Sequence, residues 1–343
     1  MRRGQVDGGP GTADIVRVAV LGAGAWGCAL GALLDEAGAE VALWENDPDA
    51  ASRLERAREH VYLGLRIAPS IDVTADLARA IGGRAMIVLA TPSAFVRTTL
   101  VRAAPYLDPG AILVCAAKGL EEKTGLTMDR VMTEVAPGLR VALLSGPTFA
   151  KELAMGLPAA LVAAARNAAT AEAVQRVFSC ARLRIYTTDD VVGVALGGAL
   201  KNVIAIAVGV SDGLGFGDNA RAALITRGLS EMGRLAVRMG GHPLTMAGLT
   251  GLGDLVLTCT GDLSRNRQVG LALARGEALS EVMRRLGQVA EGVFTARTAA
   301  GLARAMDVEM PITTSVAAVL HDGRPPRDAV AELLSRDFRA ERD

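Results

Sequence analysis

Short apolar runs of strand length alternate with helix-like stretches from residue 16 to about residue 186. The runs fall at 16–21, 40–44, 85–90, 111–116, 141–144, 160–164 and 184–186. Strands separated in this way by helical segments build a parallel sheet covered by helices. Beyond Asp190 the strand pattern gives way to helical periodicity, broken by glycine-rich segments at 213–217 and 248–253. The pattern predicts an α/β chain with a doubly wound parallel sheet over 15–189, followed by a C-terminal all-helical domain over 190–338. Residues 1–14 are polar and glycine-rich, with no apolar stretch of signal-peptide length, and read as a disordered leader outside the fold. Residues 339–343 read as a tail.

One stretch, 191–210, is almost continuously apolar and close to the roughly 20 residues that a bilayer requires. Lys201 and Asn202 stand at its centre, where a charge in hydrocarbon is costly, and no partner span exists in the chain. The expectation is therefore a buried helix in a soluble core rather than a membrane span. That leaves a lysine in an apolar helix to account for.

Composition narrows the function classes. The 343-residue chain is 50% hydrophobic, enough for two domains of ordinary size. Lys plus Arg and Asp plus Glu each total 37, so no net charge draws the molecule to nucleic acid or an anionic membrane. An anionic ligand must be captured locally. Cys28, Cys115, Cys180 and Cys259 lie far apart without a C-x-x-C pair, which suits a reducing compartment better than a disulfide framework or a zinc site. His60, His242 and His321 share no ligand spacing with any cysteine or acid cluster, so no metal is expected, and no G-x-S-x-G elbow is present.

The first strand runs into Gly22-Ala23-Gly24-Ala25-Trp26-Gly27, followed by a helical segment. In a dinucleotide-binding turn one glycine permits the bend, the next lets backbone approach a pyrophosphate, and the third packs helix on strand. The helix N-terminus adds positive potential for phosphate. This context makes the sheet Rossmann-like. The second strand ends in Trp44-Glu45-Asn46-Asp47 at the distance where an acid accepts the adenosine ribose hydroxyls. Glu45 favours NAD over NADP there; Asn46 is the neighbouring candidate, and no arginine lies between them.

Lysine is scarce, at 118, 123, 151 and 201 only, in a chain that uses arginine for most of its positive charge. A lysine in an apolar setting can lose its proton near neutral pH, which arginine does not do in a protein. Lys201 is therefore the candidate general acid/base, set against a snorkelling core lysine. Lys118 follows a strand end, where open α/β folds bind ligands, set against an exposed loop lysine, which is how Lys123 reads. Ser145-Gly146-Pro147-Thr148 also follows a strand, with Pro147 suited to a first helical position. Ser264-Arg265-Asn266-Arg267 offers a capping serine, guanidinium forks and an amide for a phosphate.

Together these pieces resemble the bacterial NAD(P)-dependent glycerol-3-phosphate dehydrogenases from about residue 18 to residue 334. The matching stretches are 22–30, 117–121, 145–152, 196–205, 251–255, 264–266 and 289–292. The resemblance implies reversible hydride transfer between NAD(P)H and dihydroxyacetone phosphate, giving sn-glycerol 3-phosphate for glycerophospholipid synthesis. It implies that Lys201 exchanges the proton and that Lys118, Gly146, Thr148, Asp254, Ser264, Arg265 and Asn266 surround the substrate. It places Ala25, Trp26, Asn46, Lys118, Ala150, Arg265, Val289 and Glu291 around the cofactor, beside Gly22, Gly24 and Gly27 of the turn. A homodimer in the cytoplasm is the family-based expectation. Cys28 replaces the threonine usual after the third glycine, and Glu45-Asn46 lacks the basic or imidazole side chain that many relatives carry, which favours NAD. The rival readings are a related hydroxyacyl or sugar-acid dehydrogenase and a non-catalytic dinucleotide-binding protein.

Overall fold

The seven expected runs all become strands, within two residues of their expected bounds. The computed structural model describes residues 15–287 and 289–335; the leader and tail expected at 1–14 and 339–343 lie outside the described residues. In chain order the strands are β1 (Arg17–Leu21), β2 (Glu40–Trp44), β3 (Glu59–His60), β4 (Leu65–Arg66), β5 (Asp72–Thr74), β6 (Met86–Leu89), β7 (Ile112–Cys115), β8 (Arg140–Ser145), β9 (Ala159–Ala164) and β10 (Leu183–Thr188). Eight form one sheet in the order β10-β9-β8-β7-β6-β1-β2-β5, and β3 and β4 pair as a separate hairpin. The sequence pattern misses β3, β4 and β5, which at two or three residues are too short to show a period.

The order β5-β2-β1-β6-β7-β8 has the connectivity of a doubly wound sheet, with the chain reversing direction across it beside β1. Both faces are covered, which is why the strands read as continuous apolar runs. Val18 and Val20 of β1 pack with Leu30, Leu33 and Leu34 of the helix Ala25–Glu36. Ala19 and Leu21 pack on the opposite face with Ile81, Val96 and Leu100. Each fully buried Val, Leu or Ile side chain contributes about 1.5–3 kcal/mol relative to exposure.

The sheet departs from the expected all-parallel arrangement at one edge. β9 runs antiparallel to β8, and β10 runs parallel to β9. The 13 residues between Ser145 and Ala159 hold only a five-residue helix, Ala150–Ala154, and do not cross the sheet to start a parallel strand. The reversal has a positional consequence. Ala164 pairs with Leu143, which is in register with Cys115, Leu89 and Leu21, and Thr188 lies beside Ala164, so the chain leaves the sheet level with the carboxyl ends of β7, β6 and β1. The helix Val191–Gly213, capped by Asp190 Oδ1 accepting from the Gly193 N–H at 2.8 Å, therefore begins close to those ends.

This helix is apolar on every side because it is enclosed on every side. In its most apolar window 83% of the residues are buried. Leu196, Leu200 and Ile204 join Met232, Leu235 and Leu255 in one core cluster, while Val203 and Ile206 join Val269, Val282 and Val316 in another. Every regular element after Thr188 is helical among the described residues. The break at 213–217 separates two helices as expected. The segment at 248–253 is not a break: Leu249–Gly253 is a π-helical turn running directly into the helix Asp254–Thr260.

Candidate active site

The glycine turn is built as its spacing requires. Gly22 has φ +112°, and its N–H donates to the Trp44 carbonyl at 2.9 Å, tying the turn to the end of β2. A Cβ on Gly27 would lie 1.8 Å from the Gly22 carbonyl oxygen, so only glycine lets the helix start this close to β1. A Cβ on Gly24 would meet nothing, because this position faces open space. That space belongs to a cavity of about 460 Å³ at the carboxyl ends of the strands.

Residues from both halves of the chain line it: Gly24, Ala25, Trp26, Thr91, Pro92, Lys118, Thr148 and Ala150 from one, and Lys201, Thr258, Ser264, Arg265, Asn266, Val289 and Glu291 from the other. Three buried polar atoms on this wall have no partner among the described residues: Trp26 Nε1, Thr91 Oγ1 and Glu291 Oε2. Unpaired buried donors and acceptors are costly unless a ligand meets them. An open glycine cradle at a helix N-terminus with such atoms around it fits a dinucleotide.

Lys201 reaches the cavity floor, 5% exposed, and Asp254 lies beneath it fully buried. Asp254 Oδ1 accepts from Lys201 Nζ at 2.5 Å, and Oδ2 accepts from Lys118 Nζ at 2.8 Å. Lys118 also donates to the Gly146 carbonyl at 2.7 Å, and Lys201 to Thr258 Oγ1 at 2.8 Å. One carboxylate thus holds two ammonium groups from opposite halves. Burial pushes the Lys201 amine down to about 8, aided by the positive Lys118, while Asp254 opposes the shift. Glycines permit the approach: a Cβ on Gly198 would lie 2.9 Å from Ser145 Oγ, and one on Gly197 would lie 2.7 Å from the Thr250 carbonyl of the π-turn.

Gly146, at φ +135°, turns the chain after β8 and aims its carbonyl at Lys118. Pro147 does not open a helix, contrary to the sequence expectation. Phe149 occupies the N-cap and the helix starts at Ala150, because the Gly146 turn takes up the intervening residues. Ser264 does cap the helix Arg265–Ala274, its hydroxyl accepting from the Arg267 N–H at 3.2 Å. Asn266 is otherwise engaged. Its Nδ2 donates to Asn202 Oδ1 at 2.8 Å, and its Oδ1 accepts from the Gly292 N–H at 3.0 Å. The amide expected to grip a phosphate is mostly spent joining three helices, leaving the helix N-terminus and Arg265 to face the cavity.

Glu291 Oε1 accepts from the Ser93 N–H at 3.0 Å, and burial pushes its carboxyl above the usual range. Glu45 and Asn46 lie outside the cavity at the tip of β2. Glu45 Oε1 accepts from the Asp47 N–H at 3.1 Å. Asn46 Oδ1 accepts from Arg102 Nη1 at 2.6 Å, so an arginine distant in sequence stands where the local reading found none. Sequence reasoning also missed Thr258, although four residues after Asp254 on a helix puts it on the same face. Tyr62, on the cavity wall from the turn between β3 and β4, carries no comparable signal.

A larger apolar groove of about 1230 Å³ lies among the later helices. It gathers no reactive groups; its buried carboxylate, Glu231, accepts from the Ile312 and Thr313 N–H groups at 2.6 and 3.1 Å and so caps a helix.

A dinucleotide cradle facing a buried lysine–carboxylate–lysine cluster, with a capped helix start beside it, defines a two-domain dinucleotide-dependent oxidoreductase with room for an anionic substrate. Comparison with known proteins narrows this. The family model for the NAD-dependent glycerol-3-phosphate dehydrogenase N-terminus matches residues 17–171, and that for the C-terminus matches 190–331. Glycerol-3-phosphate dehydrogenase [NAD(P)+] of Geobacter sulfurreducens is 50% identical over 331 residues, 95% of this chain and 99% of its own. The enzyme of the same name from Anaeromyxobacter dehalogenans is 50% identical over 95% of this chain and 100% of its own. The crystal structure of glycerol-3-phosphate dehydrogenase from Coxiella burnetii superposes with a TM-score of 0.91 at 38% identity, covering 94% of this chain and 99% of that one. The chain belongs to the NAD(P)-dependent glycerol-3-phosphate dehydrogenases, oxidoreductases that interconvert dihydroxyacetone phosphate and sn-glycerol 3-phosphate.

Proposed function

We propose that Lys201 is the general acid/base of this reaction and that Lys118 orients the reacting oxygen. The carrying observation is the bridge that Asp254 makes between the two amines at 2.5 and 2.8 Å. Residues 15–189 serve as the dinucleotide-binding domain and 190–338 as the substrate and catalytic domain. Gly22, Gly24, Ala25, Trp26 and Gly27 hold the pyrophosphate side of the cofactor, with Glu45 and Asn46 at the ribose. Lys118, Ala150, Arg265, Val289 and Glu291 flank the rest. Bound there, the nicotinamide supplies hydride to substrate C2 or takes it back.

As the C2 carbonyl is reduced, negative charge grows on its oxygen, and the Lys201 ammonium delivers a proton to it. In the reverse direction the neutral amine removes the hydroxyl proton. Asp254 and Thr258 hold Lys201 Nζ in place throughout. Thr148 and Gly146 border the reacting end. The phosphate is held by Arg265, Ser264 and the backbone N–H of Asn266 at the start of the helix Arg265–Ala274.

The test is oxidation of NADH and of NADPH with dihydroxyacetone phosphate against unphosphorylated dihydroxyacetone, followed at 340 nm. Preference for the phosphorylated ketone is expected; equal rates would remove the phosphate role of the 264–266 segment. We also propose, from the family, a homodimer acting in the cytoplasm. A monomer mass in light scattering would set the dimer aside.

A further inference from the structure

The tip of β2 carries a guanidinium that local sequence does not reveal. Arg102 closes the helix Ser93–Ala103, 56 residues from Asn46, yet its Nη1 donates to Asn46 Oδ1 at 2.6 Å. Its Cζ stands 5.4 Å from the centre of the buried Trp44 ring, which holds the cation in place. The other guanidinium N–H groups donate to no described residue.

Among the described residues the neighbouring acids form no ion pair with it and accept from backbone instead. Glu45 accepts from the Asp47 N–H. Asp47 Oδ1 is occupied at the start of the helix Pro48–Ala57, accepting from the N–H groups of Asp49 and Ala50. With its oxygen bound to Arg102, the Asn46 amide presents its NH₂. The spot is therefore rich in donors. It adjoins the phosphate turn, because the Gly22 N–H is bonded to the Trp44 carbonyl one residue before Glu45. Seven residues before Arg102, on the same helix face, Phe95 lies 54% exposed and offers a flat surface to a base.

The geometry points to Arg102 as a specificity residue for the 2′-phosphate of a phosphorylated dinucleotide, with Asn46 as its partner. In doubly wound folds this corner meets the adenosine ribose, and an arginine there accommodates a 2′-phosphate. The inference rests on the cofactor reading of the groove, and it reverses the preference for NAD drawn from Glu45 alone.

The experiment is calorimetric titration of the whole enzyme with adenosine 2′,5′-bisphosphate and with 5′-AMP, for wild type, Arg102→Ala and Arg102→Lys. A charge-assisted phosphate contact predicts that wild type binds the bisphosphate about tenfold or more tightly over 5′-AMP, a preference that shrinks as salt is raised. Arg102→Ala loses the preference while keeping its affinity for 5′-AMP, and Arg102→Lys keeps part of it. In turnover, kcat/KM for NADPH falls about tenfold in Arg102→Ala while that for NADH stays within about twofold. Equal binding of the two nucleotides by wild type, or an unchanged preference in Arg102→Ala, overturns the assignment and leaves the groove reading intact. Failure of wild type to bind either nucleotide overturns both.

Discussion

Lys201 and Asp254 meet at 2.5 Å although they come from different helices and are 53 residues apart in sequence. The π-turn before Asp254 and the glycine at 197 bring their backbones close enough for a lysine stem to end on the carboxylate. A buried ammonium is tolerated there because its charge is matched, and it remains able to part with a proton because the match is incomplete.

Removing the amine should disable chemistry more than binding. Lys201→Ala is expected to lower kcat by roughly two to four decades with little change in cofactor affinity. Initial rates at 340 nm and a fluorescence titration of NADH measure the two separately. A variant retaining most of its turnover excludes Lys201 as the proton donor.

The titration of Lys201 gives the two directions opposite pH dependences. With its amine pushed down to about 8, the group is protonated below that pH and neutral above it. Ketone reduction, which needs the proton, should fall as pH rises through about 8, and alcohol oxidation should rise over the same interval. Profiles of kcat/KM in both directions check the sign.

Asp254→Asn leaves two ammonium groups facing each other without their shared counter-charge. Since Asp254 raises the Lys201 value, its loss should move the reduction midpoint below about 8 and lower the melting temperature. Breaking a buried pair costs about 3–5 kcal/mol. A pH midpoint that stays in place would show that Asp254 does not set the lysine's charge.

Arg265→Ala should raise KM for dihydroxyacetone phosphate at least tenfold, roughly the value of a charge-assisted phosphate contact, and leave slow reduction of unphosphorylated dihydroxyacetone unchanged. Equal losses on both ketones would remove its phosphate role and leave only its place beside the cofactor.

Two glycines in helices predict opposite outcomes on substitution by alanine. A Cβ on Gly270 would lie 2.1 Å from the Ile206 carbonyl, so Gly270→Ala should lower both melting temperature and kcat by shifting the helix that carries Arg265. A Cβ on Gly301 meets nothing within 4 Å, and Gly301→Ala should stabilise the helix Glu291–Ala305 by about 0.5–1 kcal/mol. Thermal melts of both variants decide.

The sheet was legible because strands covered on both faces are apolar throughout, and the cradle because Gly22, Gly24 and Gly27 each meet a different steric demand. Lys201 stood out through contrast with its apolar helix. Chain direction was not legible: an apolar run such as β9 reads alike in either orientation, and only the short link after Ser145 reverses it. Arg102 escaped because its tie to Asn46 is made in space, and a solvent-side helical arginine has no local mark. Asn266 was assigned by residue type as a phosphate ligand, whereas hydrogen bonds to Asn202 and Gly292 occupy most of its amide. The π-turn at 249–253 resembled a loop because its glycines clear space for backbone: a Cβ on Gly251 would lie 2.1 Å from the Met246 carbonyl.

The bare crossing of the central helix with the helix Arg265–Ala274 leaves no slack in the site. At Gly209 an added Cβ would lie 2.2 Å from the Arg267 carbonyl, so main chain rests on main chain there. On the proposed assignment of the phosphate to Arg265 and of the proton to Lys201, the crossing sets the two groups a constant span apart, and the pair would work as a gauge of molecular length. A three-carbon phosphate would then register its central carbon with the amine, whereas a homologue one carbon longer would bring the wrong atom to it, and a misplacement near 1 Å already costs about a hundredfold in rate.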